Sequence, residues 1–318
     1  MGPVLEGERA TVALVLSGGG AQAAYFGAGV AAGLADAGIR PDIISGTSAG
    51  ALNAGLLASG LSPDALVDLW STIDSSEVYR VRRDFWRLPR WSGLFRRPSD
   101  LLDYALESIG WRWLLDISPA RELLVRYVGE VLRPDRTVVV SAVNQTTGEV
   151  THFTNTLPSH DKGFRLVDLT VDHLLASAAA PLLFPPVVID DESYVDAGLV
   201  ANTPLTPALA YTPDVVVVVA SSHSGPLPDS GSLDDALALL FDNVARFSLM
   251  QDYRHAQTVN TLAAAAPAAT AKRPVSLVLV EPAEEFSVSG FLRFCPESAR
   301  DIAAHGRDRV QAALASLC

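Results

Sequence analysis

The chain has 318 residues, 49% hydrophobic and 19% charged, which suits a large buried core and excludes a disordered protein. A formal net charge of −12 argues against general nucleic-acid binding, and two cysteines supply neither a disulfide framework nor a zinc-binding spacing. The N-terminal MGPVLEGERATV carries acids where a signal peptide has an apolar stretch, and no apolar run reaches the ~20 residues that span a bilayer. A cytoplasmic protein without a transmembrane segment, at most peripheral at a membrane, is expected; export without a cleaved signal stays open.

From the N-terminus, TVALVL (11–16) reads as a buried strand running into Gly18, Gly19 and Gly20. AAYFGAGVAAGLADAG reads as a helix ending near Gly38, PDIIS as a short strand, and SAGALNAGLLASG as a helix closed by Gly60. SPDALVDLWSTI has a Ser N-cap, Pro in the first turn and helical spacing. RTVVVSAVNQTTGEVTHFTN predicts a hairpin turning at NQTTGE, VDHLLASAAA a helix, and VVIDDESYVDAG a second hairpin. DVVVVVAS and PVSLVLVEP are buried-strand runs, TLAAAAPAATA a helix end and loop, and ESARDIAAHGRDRVQAALASL an amphipathic helix. Alternating strands and helices, with continuously apolar strands, predict an α/β fold around a sheet covered on both faces. No repeat or linker divides residues 1–318, so one domain is expected.

IISGTSAGALNAG contains Gly46-Thr47-Ser48-Ala49-Gly50, a G-x-S-x-G between a strand and a helix. A serine on such a tight turn exposes its hydroxyl, and the helix N-terminus behind it favours developing negative charge. The same residue reads equally well as an ordinary helix N-cap. A nucleophile needs a base. Asp196, after Tyr194-Val195 at a strand end and before Ala197-Gly198, is one candidate, shielded enough to take the serine's proton directly; it also reads as a plain turn aspartate. A Ser-acid-His order is the other arrangement, but only one strand-helix pair precedes the elbow. Moreover, none of the six histidines (His152, His160, His173, His223, His255, His305) sits in a distinctive turn. Gly18-x-Gly20-x-x-Ala23 also fits a dinucleotide fingerprint, yet the second strand ends in Ser and Gly where an acid belongs. No calcium-loop pattern is present, and no metal or cofactor is implied.

Taken together, GGG and its helix, the G-x-S-x-G, ASAAAPLLFPPV, and Asp-Ala-Gly with NTPL follow one another in an order that resembles the patatin-like phospholipase (lipid acyl hydrolase) family. The resemblance covers residues 12–209, with 210–318 adding C-terminal strands and helices. It implies a three-layer sandwich with a mostly parallel central sheet and a nucleophile elbow framed by Gly46 and Gly50. It implies a histidine-free Ser48–Asp196 dyad that cleaves fatty-acyl esters through an acyl-enzyme at a membrane or micelle interface. Gly18, Gly19 and Gly20 become the oxyanion loop, with Gly19 and Gly20 the foremost donors. The family reads Gly-Gly-Gly-x-Arg-Gly, whereas Gln22 stands here in the arginine's place, which weakens phosphate recognition and leaves Gln22 as the head-group contact. Two other readings remain: a lipid-binding scaffold of the same fold that has lost turnover, and a Ser-His-Asp esterase.

Residues 79–100 interleave seven arginines with aromatics, a local reversal of sign in an acidic chain. Arg82, Arg83, Trp86, Trp91, Arg96 and Arg97 read as contacts to an anionic membrane, and alternatively as a surface excursion whose rings pack inward.

Overall fold

In strand β1 (Val12–Leu16) every residue is apolar, and successive side chains point to opposite faces. Leu14 and Leu16 join one core, packed under helices α1 (Gly20–Asp36) and α2 (Ala49–Ala58). Ala13 and Val15 join the core on the other face, under the helices Leu205–Leu209 and Leu233–Ala265. The result is an α/β fold with helices on both sides of its sheet. The computed structural model describes residues 9–81, 113–223, 233–266, 273–284, 286 and 290–315. The expected membrane contacts Arg82, Arg83, Trp86, Trp91, Arg96 and Arg97 lie outside the described residues.

Among the described residues, nine strands form the main sheet. β2 (Ile43–Thr47) flanks β1 on one side; a short ribbon, β3 (Arg80–Val81) with β4 (Leu115–Asp116), stands apart. The sheet continues through β5 (Thr137–Asn144), β6 (Val150–Thr154) and β7 (Phe164–Leu166), while β8 (Val187–Ile189) and β9 (Glu192–Asp196) form a branch. β10 (Val215–Val219) and β11 (Ser276–Val280) complete it, in the order β11-β10-β1-β2-β5-β6-β7. The five strands from β11 to β5 are parallel, and β6 and β9 both run antiparallel to β5.

Strand β5 changes partners along its length. Residues 137–141 pair with β2, and residues 142–144 pair with β9. The β8–β9 hairpin turns on Asp190 and Asp191, both at positive φ (49° and 64°), the geometry that matches strand twist in a two-residue turn. Both expected hairpins form, and β10 lies directly against β1, so residues beyond 209 supply the last two strands at one end of the same sheet. The helix Pro296–Ala315 covers α1, and Tyr25 on α1 accepts the Cys295 N–H at 2.9 Å. The helices Ser75–Val78 and Ser118–Val128 have no counterpart among the expected elements, and of the helix Leu233–Ala265 only the end was expected.

Candidate active site

Sheet register brings the two candidate reacting residues together. Thr47 at the end of β2 pairs with Ser141 of β5, and the next β5 residue, Ala142, pairs with Asp196 at the end of β9. Ser48, one residue beyond Thr47, is thereby delivered beside Asp196. The turn that carries Ser48 is tight because strand and helix nearly touch. A Cβ on Gly46 would collide with the Gly50 carbonyl oxygen, and one on Gly50 with that of Leu16. Ser48 itself sits at φ 55°, ψ −126°, a conformation that costs a non-glycine residue roughly 1–3 kcal/mol and persists only where its surroundings impose it. It holds the N-cap position of α2, yet its side chain makes no capping hydrogen bond. Ser48 is thus the N-cap residue without capping through its side chain, and its hydroxyl faces the carboxylate.

Asp196 is 9% exposed. Burial pushes its pKa from 3.8 up to about 6, against the opposing pull of the Ser48 hydroxyl and of the Gly198 N–H, which lies 2.7 Å from Oδ1. Of these two contacts, that of the Ser48 hydroxyl holds the pKa down more strongly. A carboxylate so placed can accept a proton near neutral pH while remaining largely ionised above pH 6.

The glycine loop lies against this pair. A Cβ on Gly18 would come within 2.9 Å of the Ser48 Cβ. Gly18 donates its N–H to the Asn202 carbonyl oxygen at 3.0 Å and accepts from Asn202 Nδ2 at 3.2 Å. Gly19 at φ 142° and Gly20 at φ 63° then turn the chain into α1. Among the described residues, neither the Gly19 nor the Gly20 N–H has a partner. The segment after Asp196 is pinned across the site, with Thr47 Oγ1 on the Ala201 oxygen at 2.8 Å and Ser45 Oγ on that of Pro204 at 3.0 Å.

The sequence assigned no role to Asn202 or Ser177. Their signal was available: a polar residue inside an apolar run must find a partner. Ser177 Oγ accepts the Ser48 N–H at 2.9 Å and donates to the Ser141 oxygen at 2.6 Å.

Histidines are occupied elsewhere. His152 Nδ1 meets Ser141 Oγ at 2.9 Å, and His173 Nδ1 meets Thr170 Oγ1 at 2.8 Å. Burial lowers both pKa values to about 4. His305 accepts from Ala283 N–H, His223 lies 3.1 Å from the Pro282 oxygen, and His160 and His255 are exposed. Gln22 turns onto the C-terminal loop, where its amide covers Gly290. Among the described residues, no cluster of acidic, Cys or His side chains could hold a metal ion. One cavity of about 430 Å³ opens at the far end of the sheet, between Leu14, Ile44 and Leu57, away from Ser48.

A family model described as patatin-like phospholipase matches residues 14–209. No curated protein matches. Among solved structures, VipD from Legionella pneumophila is similar at 15% identity and a TM-score of 0.49, over 97% of this chain and 67% of that one. Human GIVD cytosolic phospholipase A2, bound to methyl gamma-linolenyl fluorophosphonate, is similar at 13% identity and a TM-score of 0.47, over 97% of this chain and 58% of that one. The chain thus spans about two thirds of the first and just over half of the second.

Proposed function

The chain belongs to the patatin-like phospholipase family, and on that premise we propose that it is a serine lipid acyl hydrolase working through Ser48 and Asp196. Asp196 takes the Ser48 proton as Oγ attacks the ester carbonyl. The carbonyl oxygen becomes an oxyanion, held by the Gly19 and Gly20 N–H groups. Gly18 contributes shape, since its own N–H is committed to Asn202. Collapse of the intermediate releases the alcohol, which takes the proton back from Asp196. Water, deprotonated by Asp196, then attacks the acyl-enzyme, and Asp196 returns the proton to Ser48 Oγ as the fatty acid leaves. Preorganised donors of this kind contribute about 3–4 kcal/mol each.

One observation carries this reading: a strained, uncapped serine beside a buried carboxylate whose pKa is raised to about 6, with the described histidines engaged or exposed elsewhere. The reading treats residues 1–318 as one unit, in keeping with the pairing of β10 with β1 in one sheet. A lipidomic comparison tests it. Wild type should consume particular acyl lipids from a mixture, Ser48→Ala should consume none, and a fluorophosphonate should label wild type alone. A folded protein that binds acyl lipids but neither consumes them nor takes the label would favour the scaffold reading.

Among the described residues, no helix is long and apolar enough to cross a membrane. We assign substrate delivery to a lipid surface, with the arginines of residues 79–100 on anionic head groups. Replacing Arg82, Arg83, Arg96 and Arg97 by Gln should weaken binding to anionic vesicles by about 1 kcal/mol per arginine, and salt should mimic the loss. Hydrolysis of a soluble short-chain ester should hardly change; equal loss on both would make the arginines structural.

A further inference from the structure

Ser48 and Asp196 come from different strands, yet one short strap of chain, residues 177–179, grips the backbone of both. Ser177 is fully buried at the end of the helix Val171–Ser177. Its hydroxyl accepts the Ser48 N–H at 2.9 Å and passes its own proton to the Ser141 oxygen at 2.6 Å. Two residues on, the Ala179 oxygen accepts the Asp196 N–H at 3.0 Å. The strap therefore spans the gap between β2 and β9, where β5 changes partners.

We propose that Ser177 is a positioning residue for the reaction: its hydroxyl fixes the strained Ser48 turn against the strap that also holds Asp196. This rests on the reading of Ser48 and Asp196 as the reacting pair. The physical requirement is specific. A serine at φ 55° relaxes unless something over-determines it. The Ser48 N–H precedes α2 and has no carbonyl of that helix to meet. Leaving it buried and unpaired is costly, and an alanine at 177 would do that while also stripping a donor from Ser141. A hydroxyl serves both groups at once, and the two bonds reinforce each other. Occupying the Ser48 N–H also leaves the oxyanion to the open Gly19 and Gly20 groups, so the elbow presents only its hydroxyl.

A purely structural serine and a positioning one differ in what they move. Stability changes in both cases. Only a positioning residue changes kcat at constant KM, and only it changes the Ser48–Asp196 contact. That contact holds the Asp196 pKa down, and no charged side chain among the described residues figures in its environment. Loosening it should carry the acid limb of the pH–rate profile to higher pH.

The experiment uses the full chain and a soluble short-chain ester, with each variant first shown to melt cooperatively. Ser177→Ala should lower kcat about 10- to 100-fold with KM little changed, and raise the pH of half-maximal activity on the acid side. Ser177→Thr, which restores the hydroxyl, should recover much of the rate and the original acid limb. Should Ser177→Ala fail to fold, Ser177→Cys keeps the size with a weaker acceptor and should give the same changes in smaller measure. A folded Ser177→Ala or Ser177→Cys with wild-type kcat and acid limb overturns the proposal while Ser48→Ala is inactive. If Ser48→Ala retains activity, the reacting pair itself is misassigned and the proposal falls with it.

Discussion

The turn from β1 into α1 and the turn from β2 into α2 start alike and end differently. Each follows a buried parallel strand, passes through positive φ, and opens a helix rich in small residues. In the first, Gly18 gives its N–H to the Asn202 oxygen, while the Gly19 and Gly20 N–H groups have no partner among the described residues. In the second, the Ser48 N–H is closed off by Ser177 and the side chain is left open instead. One turn offers donors and the other a hydroxyl, and neighbouring residues, not the turns' own backbone, decide which. Glycine suits the first because φ 142° at Gly19 suits no other residue. Serine is held at φ 55° in the second, with its hydroxyl toward Asp196.

The largest effect should come from removing what the second turn presents. Ser48→Ala and Asp196→Asn should each lower ester hydrolysis by about 10⁴-fold or more, with the fold retained. Each of the six histidines, replaced singly, should leave most activity. A folded histidine variant as inactive as Ser48→Ala would return the triad. Removing what the first turn presents should cost less. Gly19→Ala forces a Cβ to within 2.8 Å of the Ser221 Cβ and twists the donors, so kcat should fall about 10²- to 10³-fold. Gly50→Ala is the contrasting case. Its Cβ meets the Leu16 carbonyl, so it should lower the melting temperature before it touches chemistry. A Gly19→Ala variant that lost stability but kept its rate per folded molecule would erase the distinction between the turns.

Much of this was legible in the residue order, and for a physical reason. Glycines at 46 and 50 are demanded by backbone contacts, and such local demands leave a mark in sequence. The hairpins read correctly because their turn residues carry their own geometry. Of the long helix Leu233–Ala265 only the end was read, since alanines spread along its length blur any apolar stripe. Ser177 and Asn202 escaped because their meaning lies in partners 129 and 184 residues away, which no local pattern encodes. The switch of β5 from β2 to β9, which sets Ser48 beside Asp196, is likewise a property of register.

Next in size is a stability difference with a defined pH window. Asp196 has a folded pKa of about 6 against 3.8 unfolded, so the folded state holds its proton more tightly. Its contribution is therefore present below pH 4 and lost as pH rises through 6, leaving a burden on the order of 3 kcal/mol at neutral pH. Asp196→Asn should accordingly raise the melting temperature at pH 7.5 and lose that advantage near pH 4. His152 and His173 act in the other direction. Their folded pKa values of about 4 lie below the usual 6.5, so stability is lost as pH falls from 6.5 through 4. Wild type should thus weaken in acid while the gap between it and Asp196→Asn closes. A gap independent of pH would mean that Asp196 is not strained by burial.

The smallest effect concerns selectivity at the mouth of the first turn. Gln22 lies two residues past Gly20, and its amide covers Gly290. The loop it touches is anchored: the Phe291 oxygen accepts the Ala21 N–H at 2.8 Å, and Tyr79 donates to the Leu292 oxygen at 2.7 Å. A neutral amide held against that loop offers a phosphate less than a guanidinium would. Neutral acyl esters such as mono- and diacylglycerols should therefore be favoured over phospholipids. Gln22→Arg should raise the phospholipid-to-acylglycerol rate ratio by about 2- to 10-fold, the scale of one added charge-assisted hydrogen bond. The soluble-ester rate should stay near wild type, because neither Ser48 nor the Gly19 and Gly20 donors are disturbed. Both lipids must carry one acyl chain and be presented in one type of micelle, so that surface binding is common to the two. A wild-type protein that already prefers phospholipid strongly would place phosphate recognition on another cation. The arginines of residues 79–100 would then be the first to replace, and the inference from Gln22 would be withdrawn.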